Sequence, residues 1–449
     1  MRNVGRLLAA LASLTIVAAA CTAGGGGSNP KTTQVIDPSK SHAPVTLELW
    51  TFFTSREFDK FYGDALQRMH QRLPWLTIKA VPGKQQDDVT RAINSGTAPD
   101  IAMECCPDDS AKLCSTGAWI DLNPFLRAEH MDISKIIPAG ALAYTGFEGD
   151  QCSLPVLTDA YGLYYNTDMF KAAGIKGPPK TYSELLTDAK KLTTFNSDGS
   201  IKVAGFNALP TGYEISNFEN GVNSNTQWYT PDGKSALGSD PRWADLFEFQ
   251  KKLVDALGFD KLQKWYASVG GPNSEFSPSN AFEQGKLAMS FDGEWRVSFI
   301  QDDNAKIHYA TAPFPVADDQ PELYGTGQIG GTIIGIPRNT PHQAEAWEVV
   351  KFLATDTQAQ ESLAESLKNV PTTFAALKDP ALTSDPHFKT FLDIFADPHS
   401  RYKPITTLGT GDVSLMNQFV EKYIAGKVSD LQAGLKQVAD QIDKQQQLG

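Results

Sequence analysis

The sequence predicts an α/β protein built as two lobes, and three observations predict it. Its 449 residues exceed what one hydrophobic core usually organises. Strand and helix patterns alternate from residue 45 onward, and the same alternation begins again near Tyr161.

The first strand is "VTLELWTFF", where Val45, Leu47 and Leu49 alternate with Thr46 and Glu48. A helix follows: Thr54 and Glu57 in "TSRE" have capping-box spacing, and Phe58, Phe61, Tyr62, Ala65, Leu66 and Met69 recur at helical intervals. "LTIKAV" reads as a strand, "QDDVTRAINSG" as a helix stopped at Gly96, and "DIAM" as a third strand. Strands alternating with helices imply a parallel sheet wound by right-handed crossovers. In the second lobe "YGLYYN" is a strand, "DMFKAAG" a helix ending at Gly174, and "TYSE" a second capping box at Thr181 and Glu184. Residues 196–238 are rich in Asn, Gly and Thr and read as loop and short structure, the make-up of segments that carry ligand contacts. In "AFEQGKLAMSFDGEWRV" a helix closes at Gly285, and Leu287, Met289 and Phe291 form one buried strand face. Asp292, Glu294 and Trp295 then arrive together where the chain leaves the core. "TIIGIP" is strand-like and "HQAEAWEVVKFLAT" helical. The tail from Val413 to Gln447 reads as two helices split at "AGKVSD", the second capped by Ser429 and Gln432.

Forty basic residues against 52 acidic ones give a formal charge of -12, and no Lys/Arg block stands out, which excludes nucleic acid as a natural partner. Arg2 and Arg6 precede an apolar run from Leu7 to Ala20, too short to span a bilayer, and Ala18-Ala19-Ala20 leads into Cys21 as an export signal ends. The ending resembles a bacterial lipobox, with residues 1–20 removed and Cys21 lipidated, although Ala18 stands where Leu is more usual. Residues 21–44 then serve as anchor and tether, reaching on the order of 25–30 Å. The other cysteines are Cys105, Cys106, Cys114 and Cys152. In an exported chain an even set reads as disulfides. Of the three possible connectivities the one joining the neighbours Cys105 and Cys106 is strained, and of the two that remain Cys106–Cys114 with Cys105–Cys152 is the favoured expectation. The set lacks the C-x-x-C spacing of a zinc site, and the seven histidines show no ligand spacing, so no metal and no cofactor is expected.

Four separated stretches, in order, resemble the extracellular solute-binding proteins of carbohydrate-uptake ABC transporters, the family that includes maltose-binding protein. They are "SGTAPDIAM" with "STGAWIDLNPFL", "LPVLTDAYGLYYNTDMFKAAGI" with "PPKTYSELLTDAKKLT", "AFEQGKLAMSFDGEW", and "GGTIIGIPRNTPHQAEAWEVVKFLATDTQAQ" running into "NVPTT". The resemblance implies a periplasmic-binding-protein-like fold with a hinge between lobes and a central cleft. Residues 45–157 plus 296–337 make one lobe, and 158–295 plus 338–449 the other. It further implies a monomeric lipoprotein on the outer face of the bacterial cytoplasmic membrane that hands a mono- or oligosaccharide to permease subunits.

Sugar recognition needs a flat aromatic face for C–H surfaces and planar polar groups for hydroxyls. Trp295 matches the family's Trp after the Gly-containing turn and is the expected stacking platform, with Asp292 or Glu294 accepting hydroxyl protons. The alternative is a Trp packed in the hinge and acids facing water. Trp50 and Glu104 end strands that open onto the crevice. Asp159 and Tyr161 lie where the chain crosses between lobes. Trp228 is a second platform or a partner of Tyr229, Arg401 a chelator of vicinal hydroxyls or of phosphate, or else a surface arginine. Gly330 and Gly331 end "GTGQIG", a literal G-x-G-x-x-G that precedes a strand rather than a helix. That context fails the dinucleotide fingerprint and leaves a close backbone approach to ligand. Carboxylates two positions apart on one turn do not straddle a glycosidic bond, so catalysis is not expected. The alternatives retained are a glycerophosphodiester-binding protein of the same type, a secreted carbohydrate-active enzyme, and a surface adhesin.

Overall fold

The computed structural model describes residues 35–37, 40–210 and 221–447. The expected signal segment and Cys21 lie outside the described residues. Twelve strands are defined in chain order among them: β1 Val45–Thr51, β2 Leu76–Val81, β3 Ile101–Cys105, β4 Gly146–Phe147, β5 Asp150–Gln151, β6 Ser153–Asn166, β7 Thr194–Phe195, β8 Ile201–Phe206, β9 Leu287–Gly293, β10 Tyr309–Ala312, β11 Ile329–Gly335 and β12 Val370–Pro371. All but the short β4–β5 pair join in one hydrogen-bonded array, along the path β2-β1-β3-β11-β6-β9-β8-β7, with β10 and β12 also on β6.

β1 pairs parallel with both β2 and β3, as the alternation of strands and helices predicts. The fourteen-residue β6 organises the rest. From Ser153 to Ala160 it runs antiparallel to β11, and from Tyr161 to Tyr165 antiparallel to β9. One strand thus belongs to two sheets, with the change of partner close to the expected crossing after Leu157. β12 lies against Thr158 and Leu157 at the same place and returns the chain a further time.

Separate cores flank this strand. Leu47, Leu49, Ile101, Met103, Leu154, Val156 and Ile334 form one, with a smaller cluster of Val89, Ile93, Ala102, Leu113, Trp119 and Tyr144 on the opposite face of the sheet. Leu163, Phe206, Leu287, Met289 and Phe291 belong to the other. Two assignments differ from expectation. Val297, Ile300, Phe314 and Ala317 pack in the second core, and Trp347, Val350, Leu353 and Leu363 in the first. Helix Gln343–Thr355 follows β11 directly and its apolar face is covered by the sheet it has just left, with Trp347 stacked 5.5 Å from Phe125.

Local signals fared unevenly. Helix Gln86–Ser95 stops at Gly96 with φ 75, the left-handed turn that favours glycine. Residues 281–285 form turns, not the expected helical end. Thr54 donates its hydroxyl to the Glu57 carboxylate at 3.4 Å instead of accepting from the backbone, so no capping box forms there. Thr181 does accept from the Glu184 amide at 3.3 Å, but Glu184 reaches back to the Lys180 amide, one residue before the cap. Helix Leu431–Gln446 is capped by Asp430, accepting from the Ala433 amide at 2.9 Å, rather than by Ser429.

The disulfide expectation is overturned. Cys114 bonds Cys152, with Cα atoms 5.5 Å apart, and Cys105 and Cys106 are free. Cys114 lies on a helix packed over β4 and Cys152 just before β6, both buried in one apolar cluster, whereas Cys105 ends β3 on the far side of β11.

Candidate functional site

The site forms where β6 changes partners. Asp159 precedes the switch and Tyr161 follows it; Glu294 and Trp295 leave the end of β9 opposite. Trp295 is half-buried and stands edge-on to Tyr161, ring centres 5.4 Å apart and planes at 89°, while Tyr161 stacks on Phe291 at 5.8 Å. The indole folds back over Gly293, where any Cβ would collide with its ring, so the "DGEW" turn needs that glycine.

Beside the aromatic pair lies a carboxyl network. The Asn369 side-chain amide donates to Asp159 Oδ1 at 3.0 Å and to Glu294 Oε1 at 2.9 Å, and Glu294 Oε2 accepts from the Ala160 backbone amide at 2.8 Å. Burial pushes both carboxyls above their ordinary range, and each one's proximity to the other works further against a second charge on Glu294. Two carboxyls on one amide bridge therefore act as a pair holding one proton between them near neutral pH. Such a pair offers both a donor and an acceptor.

Glu104 is buried with neither carboxylate oxygen hydrogen-bonded, and desolvation, reinforced by Cys105, Asp109 and Asp87, raises it to about 9. It is a neutral acid at pH 7, with a hydroxyl to give and a carbonyl to accept. Gly330 faces the site: a Cβ there would meet Asp159 and the Tyr402 ring, each at 3.8 Å. Gly331 has a different role. Its φ of +151 and the proximity of the Leu157 carbonyl and Tyr144 hydroxyl exclude a side chain, which lets β11 lie tight on β6.

Other expected residues are engaged elsewhere. Asp292 is a buried partner of Arg296 Nε at 2.7 Å and also accepts from the Gly293 amide at 2.8 Å; Arg296 is paired in addition with Glu283 at 3.0 Å. Its charge is spent holding the turn, which corrects the expectation of a hydroxyl acceptor. Trp228 is buried edge-on to Trp243 at 4.9 Å, and the Lys403 ammonium lies 5.8 Å from its ring centre. Trp50 donates its indole N–H to Glu48 at 2.6 Å and carries Lys84 over its ring at 4.3 Å. Arg401 donates to the Thr226 carbonyl at 2.8 Å, its backbone runs beside Gln328, and burial draws its pKa down.

Three residues escaped sequence reasoning. Asn369 sits in "NVPTT" with no periodic or spacing signal. Tyr402 meets Tyr144 edge-on at 5.4 Å, and Lys403, fully buried, pairs with Asp108 at 3.3 Å and Asp412 at 3.2 Å. Both follow Arg401 in "SRYKP". Among the described residues no group of three or more His, Cys, Asp or Glu is arranged to hold a metal, and no helix is long and apolar enough to cross a membrane.

Two α/β lobes sharing a strand, with aromatic and carboxyl groups gathered at the shared segment, define a two-lobed binding protein. Residues 76–360, more than half of the chain, match the model of the bacterial extracellular solute-binding protein family, and the chain belongs to it. The mannotriose-bound structure of CpMnBP1 matches with a TM-score of 0.78 at 26% identity, covering 88% of this chain and 99% of that one. The maltodextrin-binding protein MdxE of Bacillus subtilis is 24% identical over 331 residues, 71% of this chain and 72% of that protein. A binding protein of Brucella abortus is 28% identical over 214 residues, and there the chain spans about half of the relative, 47% of its length.

Proposed function

We propose that this chain captures a carbohydrate, most naturally an oligosaccharide, between its lobes and delivers it to the permease of an ABC importer. The observation that carries this is the half-buried Trp295, edge-on to Tyr161 and beside the Asp159–Asn369–Glu294 network. It pairs an apolar plate with planar donors and acceptors, the two needs of a sugar ring. Glu104, with unpaired oxygens, adds a further polar contact. Mannotriose on CpMnBP1 and maltodextrin on MdxE support an oligosaccharide as the ligand class. The Asp159–Glu294 pair, with one proton between two carboxyls, keeps negative charge at the site, which favours a neutral polyol over a phosphodiester anion. Arg401 already spends one donor on Thr226.

On this reading the chain is exported, held to the outer face of the cytoplasmic membrane by lipid at Cys21, works as a monomer and performs no chemistry on its ligand. Thermal unfolding of the soluble form beginning after Cys21, against manno- and malto-oligosaccharides, monosaccharides and glycerophosphodiesters, tests it. A ligand at a hundredfold excess over its Kd adds about 2.7 kcal/mol of stability. A selective rise in the midpoint with the sugar recovered intact supports the reading. A hydrolysed sugar, or a shift with phosphodiesters alone, overturns it.

A further inference from the structure

Adjacent strand residues point to opposite faces, so two neighbouring thiols meet only where a strand breaks. β3 breaks after Cys105. Cys106 stands at φ 62 and ψ 94, a left-handed backbone that a non-glycine residue adopts only under constraint, and the turn brings the two sulfurs to 3.2 Å. The objection from strain applies to neighbours on a regular strand, and these are not.

The surroundings give the pair a purpose. Cys105 lies opposite Thr332 of β11, and Glu104, the unpaired carboxyl, immediately precedes it. The contact with Cys105 and burial of the sulfur, with smaller contributions from Asp108 and Asp159, discourage a thiolate at Cys106. Asp159 is part of the network beside Trp295. Thr332, opposite Cys105 on one side, faces Leu157 of β6 on the other, two residues before Asp159, so the thiols edge the site described above. The chain also carries a disulfide between Cys114 and Cys152, the product of an oxidising compartment in which a second accessible dithiol would not persist.

We propose that Cys105 and Cys106 close into a vicinal disulfide in the exported protein, and that this small rigid ring forms a wall of the ligand site. Closure is a thiol–disulfide exchange: both S–H bonds break, one S–S bond forms, and the two electrons and two protons released reduce an external disulfide oxidant to two thiols. The closed ring presents polarisable sulfur without rotating S–H groups, a preorganised apolar surface. Its role as a wall rests on the carbohydrate-binding reading; its formation does not.

Trypsin separates the question cleanly, because residues 92–112 form one peptide holding Cys105 and Cys106 alone. Protein exported into an oxidising compartment, alkylated without reductant and digested, should yield this peptide unalkylated and lighter than its reduced form by two hydrogens. Two alkyl groups on it, with Cys114–Cys152 still protected, would overturn ring formation. So would a cross-link from it to the peptide of Cys114 or of Cys152. For the wall, mannotriose and maltotriose are titrated into the native protein, into protein mildly reduced so that the buried Cys114–Cys152 bond survives, and into the Cys105→Ser/Cys106→Ser variant. Affinity about tenfold weaker in the latter two, a loss of ~1.4 kcal/mol, is expected. Equal affinity in all three sinks the wall while leaving the mass result standing. No binding in any of them sinks the carbohydrate reading, and the wall with it.

Discussion

At the level of single residues the site divides chemistry from support. Trp295 is half-buried, so its truncation removes contact surface without emptying a core. Trp295→Ala should weaken oligosaccharide binding by about 2 kcal/mol or more while leaving the unliganded melting midpoint nearly unchanged, as calorimetry and thermal unfolding would record. An unchanged affinity with a lowered midpoint would make it a packing residue. Glu104 supplies a pH test. Burial raises its folded pKa to about 9 from the ordinary 4.5 of a glutamate, so the folded state holds a proton that the unfolded chain releases. Its contribution is fully present below about pH 4.5 and is lost as pH rises toward 9. Glu104→Gln, which cannot ionise, should therefore flatten the decline of stability between pH 5 and 8.5, by on the order of a few kcal/mol at the alkaline end in urea titrations.

Within elements, β9 and its turn depend on a buried triad. Arg296 neutralises Asp292 and Glu283 with almost no access to solvent. Arg296→Met leaves two buried carboxyls uncompensated and should cost about 3–5 kcal/mol in equilibrium unfolding, several times the effect of a surface ion pair. β11 depends on Gly331 for its approach to β6. Gly331→Ala meets a backbone carbonyl and an unfavourable φ together, and a loss of about 2–3 kcal/mol is expected from the same measurement.

For the whole molecule, a buried ion pair and the Tyr402–Tyr144 ring contact bring the lobes together beside the site. Asp108 follows β3 in the first lobe, Asp412 heads helix Gly411–Ile424 in the second, and Lys403 is paired with both while fully buried. The ammonium ties one lobe to the other across the site. Lys403→Ala should favour separated lobes, seen as a larger radius of gyration by X-ray scattering and as faster ligand release in stopped flow. An unaltered scattering profile would mean that the lobes stay together without this ion pair.

Much of this protein was legible in one dimension. The parallel winding of β1, β2 and β3, the stop at Gly96 and the strand after "GTGQIG" follow from patterns that neighbours along the chain enforce: alternation, helical period and the conformational freedom of glycine. Trp295, Asp159 and Tyr161, by contrast, were singled out through the family resemblance. Only the tertiary structure decided which charged and sulfur-bearing groups meet. Asp292 and Glu294 are two residues apart, yet one is consumed by Arg296 and the other shares Asn369 with Asp159 across the crossing strand. Cys152 chose Cys114 over Cys105, and helix Gln343–Thr355 returned to the first core. The physical reason is common to all of them. Burial makes an unpaired charge or an uncovered apolar face costly, and the partner that relieves the cost is set by distance in space, which separation along the chain does not encode.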